Sequence, residues 1–139
     1  LTYTVVGDGV PLAARLESLS KFYGTPVIVN QSTRELVDDF VFRELDVVCV
    51  KGKCIPSTIY APLGHAGDVT PHRLEELATY AQALADYRAQ RWEAARDAFR
   101  VLQDAESLPV YRIYLDRIEA FMREPPGPDW DGVHFFVDK

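Results

Sequence analysis

The chain has 139 residues, enough for one ordinary domain or two small ones. At 47% hydrophobic and 26% charged residues it has the composition of a folded globular protein, which excludes a disordered one. Its net charge of -6 excludes the chain as a whole as a partner for nucleic acid or an anionic membrane, although a single basic pocket can still bind phosphates. No run approaches the roughly eighteen apolar residues of a membrane helix, so no membrane segment is expected.

Residues 1–6 alternate polar and apolar side chains and are rich in β-branched ones, which predicts the end of a strand. Gly7-Asp8-Gly9 turns the chain. A helix is predicted from about residue 10 to Tyr23, with Leu12, Leu16, Leu19 and Tyr23 as its apolar stripe and Gly24 as its C-cap. Residues 26–30 form a short, buried-looking strand. Ser32 or Thr33 is expected to cap a brief helix to about Val37. Residues 40–50 predict a long strand whose alternation falters near Leu45, the mark of a bulge or of burial on both faces. Lys51-Gly52-Lys53 ends it, and residues 57–60 return as its hairpin partner.

Residues 64–69 read as a linker to a second, helical half. Thr70-Pro71 is an N-cap followed by proline at the first helical position. Three apolar stripes follow: Leu74, Leu77, Ala81 and Leu84; then Trp92, Ala95, Phe99 and Leu102; then Tyr111, Tyr114, Ile118 and Phe121. Pro125-Pro126-Gly127-Pro128 stops the last helix, leaving residues 130–139 as an irregular tail whose aromatic residues suggest that it packs back. The expected organisation is thus residues 1–63, a linker at 64–69, and a helical tail at 70–139.

Two cysteines, Cys49 and Cys54, are too few for a disulfide framework or a zinc ribbon, and predict one half-buried strand thiol and one loop thiol. His65, His72 and His134 fall in separate segments without metal-ligand spacing, so no metal site is expected within the chain; they read as surface or loop residues. Gly7-x-Gly9 is not a dinucleotide fingerprint, because the third glycine position is Leu12. Arg15 lies beside the apolar stripe of its helix, on a flank shared with Pro11 and Ser18. A guanidinium there either ion-pairs on the surface or offers two parallel donors to a phosphate.

The run Tyr3-Thr4-Val5-Val6-Gly7-Asp8-Gly9-Val10-Pro11-Leu12-Ala13-Ala14-Arg15-Leu16-Glu17 resembles the Y-T-V-x-G-D-x-V-N-x-A-A-R-L-E run of class III nucleotidyl cyclases, which convert ATP or GTP into a cyclic monophosphate and pyrophosphate. Phe42-Arg43-Glu44-Leu45-Asp46 and Val50-Lys51-Gly52-Lys53 follow in that family's order and spacing, so the resemblance covers about residues 1–63. It implies the C-terminal portion of a cyclase domain: an α+β fold with part of a ferredoxin-like sheet and helices, followed by an α-helical tail. It also implies that Arg15 stabilises the transition state at the α-phosphate, that Lys51 holds the terminal phosphates with Lys53 as a weaker second candidate, and that Thr4 reads the base and favours ATP. Pro11 stands where the family has its ribose-orienting Asn, a departure that puts full activity in doubt. The family's Mg2+ or Mn2+ ligands lie on earlier strands and have no counterpart in this chain, so the chain alone is expected to be inactive. Family cyclases work as homodimers, and exposed sheet edges in a partial domain predict that the free chain either dimerises or is unstable. Residues 87–99, closed by Pro109, resemble one tetratricopeptide-type helix pair. The ending resembles bacterial cyclases with a sensor and membrane helices, implying a cytoplasmic portion of an inner-membrane parent. Rival readings are a degenerate, non-catalytic cyclase domain and a helical interaction module.

Overall fold

The computed structural model describes residues 4–6, 16–50 and 55–136, with side chains over 19–49 and 55–136. The architecture is α+β. The chain divides into two compact units, Leu1–Val69 with Gly132–Lys139, and Thr70–Asp131.

The first unit is a mixed five-stranded sheet of order β1-β2-β4-β3-β5, compatible with part of a ferredoxin-like sheet. β1 (Thr4–Val6) runs parallel to β2 (Val27–Asn30). β4 (Ser57–His65) is antiparallel to both β2 and β3 (Phe40–Val50). β5 (His134–Phe136) is parallel to β3. The tail expected to be irregular therefore supplies an edge strand. Its aromatic residues explain the docking: Phe136 lies edge-on to Phe22 at 5.5 Å and to Tyr23 at 6.3 Å, and His134 stacks on Phe22 at 6.3 Å. His134 is thus a half-buried strand residue and not a loop one. The expected linker also differs, because β4 continues to His65 and a 3-10 turn occupies Ala66–Asp68.

The described part of the first helix, α1, is Leu16–Tyr23. Leu19 and Tyr23 are buried as the stripe requires. Gly24 adopts φ 69° and its N–H, with that of Thr25, donates to the Ser20 carbonyl, so the predicted C-cap holds. The brief helix α2 (Gln31–Glu35) is capped by Asn30, whose Oδ1 accepts from the Thr33 N–H at 2.9 Å, and not by Ser32 or Thr33. A strand-end Asn directly abutting a helix gives no separate loop in which a cap would stand out. β3 carries its irregularity where the pattern faltered: the register shifts between Glu44 and Asp46, and again between Val41 and Phe42. Beyond the first shift both Leu45 and Asp46 are buried.

The second unit packs α3 (Pro71–Arg88), α4 (Trp92–Ala105) and α5 (Pro109–Arg123). Thr70 caps α3 by accepting from the Arg73 N–H at 3.1 Å. The α4 and α5 stripes are as expected, with Ala95, Phe99 and Leu102 buried against Tyr111, Tyr114 and Ile118. In α3 Leu84 is buried as expected, but the rest of the buried face is Tyr80, Ala83 and Tyr87, while Leu74 is 46% exposed. A tyrosine buries a large ring and needs a partner only for its hydroxyl, so polarity is a poor guide to its place. Phe99 stacks on Tyr114 at 5.2 Å, and Tyr87 lies edge-on to Tyr114 at 4.8 Å and to Trp130 at 5.3 Å. Arg73 bridges Glu76 at 2.8 Å and Glu106 at 2.9 Å, and the Tyr111 hydroxyl donates to Glu76, tying both other helices to the start of α3. The hydrogen bonds to Glu106 and then Glu76 hold the Arg73 pKa above its ordinary value.

Candidate functional site

Of the residues singled out in the sequence, Pro11, Arg15, Lys51 and Lys53 lie outside the described residues. Thr4 is described in its backbone: it opens β1 opposite Val27. What the structure supplies is the frame next to them. The described part of α1 opens at Leu16, next to Arg15 in the chain, and the described part of β3 runs to Val50, next to Lys51.

That frame is locked by a polar contact that the apolar pattern gave no reason to expect. The Tyr23 hydroxyl donates to Asp46 Oδ2 at 2.5 Å in a buried setting, and Asp46 Oδ1 accepts from the Val47 N–H at 2.9 Å. Tyr23 closes α1 and Asp46 sits just past the bulge of β3, so one bond fixes the helix leading from Arg15 to the strand leading to Lys51. The sequence signal was present: Asp46 is a lone carboxylate in the otherwise apolar run Leu45-Asp46-Val47-Val48-Cys49-Val50, and a buried carboxylate must find donors. Beside it, Cys49 is buried and disulfide-bonded, which corrects the expectation of a strand thiol. Cysteine count spoke only against a framework of several bridges, and a single bridge escapes that reasoning.

Two other depressions carry different character. One of about 270 Å³ is lined by Arg34, Glu35, Val37, Asp38, Phe40 and Phe42. Its arginine is occupied, lying 5.0 Å from the Tyr60 ring centroid and 5.8 Å from that of Phe42. The other, about 430 Å³ between α4 and α5, mixes Arg96, Arg100 and Arg112 with Asp104 and Glu119. Both alternate in charge sign, as a solvated surface does. Among the described residues no group of three His, Cys, Asp or Glu side chains is placed to hold a metal ion, and no helix is long and apolar enough to cross a membrane.

Over 103 residues the chain is 33% identical to the terminal-differentiation-specific adenylate cyclase of Dictyostelium discoideum, a match covering 70% of this chain and 5% of that protein. Over 65 residues it is 38% identical to adenylate cyclase 1 of Rhizobium meliloti, covering 46% of this chain and 10% of that protein. This chain is related to adenylate cyclases. The first match covers too much of the chain to be confined to the sheet unit, so the relationship reaches into the helices. The chain spans only a small part of either relative's length. No protein-family profile matches it, and no solved structure does.

Proposed function

We propose that the chain is the C-terminal part of a class III adenylate cyclase domain, whose parent converts ATP into cAMP and pyrophosphate. The observation that carries this reading is the Tyr3–Glu17 run in a chain related to adenylate cyclases. In the reaction the ribose 3′-hydroxyl attacks the α-phosphorus and pyrophosphate leaves. The protein's task is to position the triphosphate and to stabilise the charge that develops. Arg15 offers two parallel donors to the phosphate oxygens at the reacting centre. Lys51, with Lys53 beside it, holds the departing pyrophosphate, and the Thr4 hydroxyl accepts from the adenine amino group. The Tyr23–Asp46 bond supports this reading by joining α1 to β3, the elements described next to Arg15 and Lys51 in the chain.

The divalent cation of such an enzyme, Mg2+ or Mn2+, is held by residues elsewhere in the parent. The working unit is a homodimer in which each subunit supplies what the other lacks. The helical unit is a tetratricopeptide-like extension, and in a bacterial parent this portion faces the cytoplasm. The test is cAMP production by the parent from ATP and Mn2+. Turnover that falls sharply in Arg15→Ala and Lys51→Ala supports the reading, and turnover indifferent to both removes it. The isolated chain should make no cAMP. Pro11, without a polar side chain where the family orients the ribose, favours a second reading, a degenerate domain kept for regulation or dimerisation.

A further inference from the structure

β3 changes neighbours before it ends. Its ladder with β4 stops at Val48 and Ser57, next to Pro56, which has no N–H to carry the pairing further. From Val48 onward β3 pairs in parallel with β5: Val48 with His134, Cys49 with Phe135 and Val50 with Phe136. β5 is last in the sheet order and three residues long, so the end of β3 leans on a short edge strand drawn from the far end of the sequence.

The same strand reaches α1. The Phe136 ring lies edge-on to both Phe22 and Tyr23, and the Phe22 and Tyr23 rings meet edge-on at 5.0 Å. Tyr23 carries the hydroxyl that donates to Asp46. Phe136 therefore meets both sides of the α1–β3 joint: its backbone is in register with the end of the strand, and its ring packs on the end of the helix. A three-residue parallel strand makes few ladder bonds, and parallel pairing is slightly less stable per residue than antiparallel. Such an element opens locally at a smaller free-energy cost than the core. Its departure lets water reach the Tyr23 ring, and a hydrogen bond is electrostatically weaker in wetter surroundings.

We propose that β5 is a strap on the α1–β3 joint, with Phe136 as a positioning residue that acts through Tyr23. Docked, the strap holds the last turn of α1 on β3. Released, it frees that turn while β2 and β4 stay paired. The consequence for turnover rests on the cyclase reading given above, in which phosphate ligands adjoin α1 and β3 in the chain.

The test is amide hydrogen exchange on the whole 139-residue chain, resolved by residue. In the wild type, His134–Phe136 should exchange through the same opening as Phe22 and Tyr23, and faster than the paired residues of β2 and β4. Phe136→Ala should speed that set about tenfold or more by removing the ring, and leave β2 and β4 unchanged. Phe136→Leu keeps an apolar side chain and should restore most of the protection. In the parent, Phe136→Ala should lower kcat for cAMP formation several-fold, and Phe136→Leu should recover it. Equal acceleration throughout β2 and β4, or Phe22 and Tyr23 amides that do not respond, overturns the strap. If exchange responds as expected while the parent makes no cAMP, or makes it at an unchanged rate, the strap stands and its link to phosphate ligands falls.

Discussion

The Tyr23 hydroxyl and the Asp46 carboxylate meet at 2.5 Å in the interior of the sheet unit, joining the last residue of α1 to β3 just past its bulge. A hydrogen bond to a charged acceptor contributes about 1.5–3 kcal/mol, and its loss leaves the carboxylate less well satisfied where water cannot help. Tyr23→Phe keeps the ring and its packing on Phe136, so it isolates the hydroxyl. It should lower unfolding free energy by about 1.5–3 kcal/mol in urea titrations. Combined with Asp46→Asn it should cost clearly less than the two single changes added. Additive losses would mean that the two groups act independently.

The sheet's elements were legible because their signals are local. The β-branched run of residues 40–50 gave β3 and the disturbance at Leu45 gave its bulge; Gly24 gave the end of α1, and Thr70-Pro71 the start of α3. What was not legible depends on partners distant in the chain. His134–Phe136 becomes a strand because β3 offers it an open edge, which no local pattern announces. Tyr80 and Tyr87 are buried because neighbouring helices supply ring partners. At the candidate site Arg15, Lys51 and Lys53 lie outside the described residues, so the structure shows only the elements next to them in the chain.

Arg15 and Lys51 should act as a pair of phosphate ligands. Arg15→Ala and Lys51→Ala should each weaken pyrophosphate or ATP binding about tenfold or more, since bonds to charged groups contribute about 1.5–3 kcal/mol. The urea midpoint should stay unchanged. Arg15→Lys should fall between wild type and Ala, because the charge remains and the parallel donors are lost. Calorimetry at two salt concentrations checks this, and binding insensitive to salt would speak against cations gripping phosphate.

Pro11 should limit the rate without limiting the fold. Proline is tolerated early in a helix, where its missing N–H has no partner to lose. On the proposed cyclase reading, an asparagine there would restore one polar contact to the ribose in the transition state, and such a contact contributes about a hundredfold in rate. Pro11→Asn in the parent should therefore raise cAMP formation by about that factor. No cAMP from either form would favour the degenerate domain.

Gln90 sets two opposing effects against each other in the turn between α3 and α4. It is the one non-glycine among the described residues with positive φ, at 61°, a conformation that costs an ordinary side chain about 1–2 kcal/mol. Its Nε2 donates to the Gly127 carbonyl at 2.7 Å, pinning the proline-rich segment that leads to Trp130. That bond contributes about 0.5–1.5 kcal/mol, so strain and anchor nearly cancel. Gln90→Gly relieves the strain and loses the anchor, and should leave thermal stability within about 0.5 kcal/mol of wild type. Gln90→Ala keeps the strain and loses the anchor, so it should cost about 1 kcal/mol. Both should loosen the segment before Trp130, whose ring packs 5.3 Å from Tyr87 and 5.5 Å from Trp92. Tryptophan fluorescence should therefore shift red in both variants while only alanine lowers the melting temperature. Equal melting temperatures for the two would show that the left-handed backbone at Gln90 carries no strain.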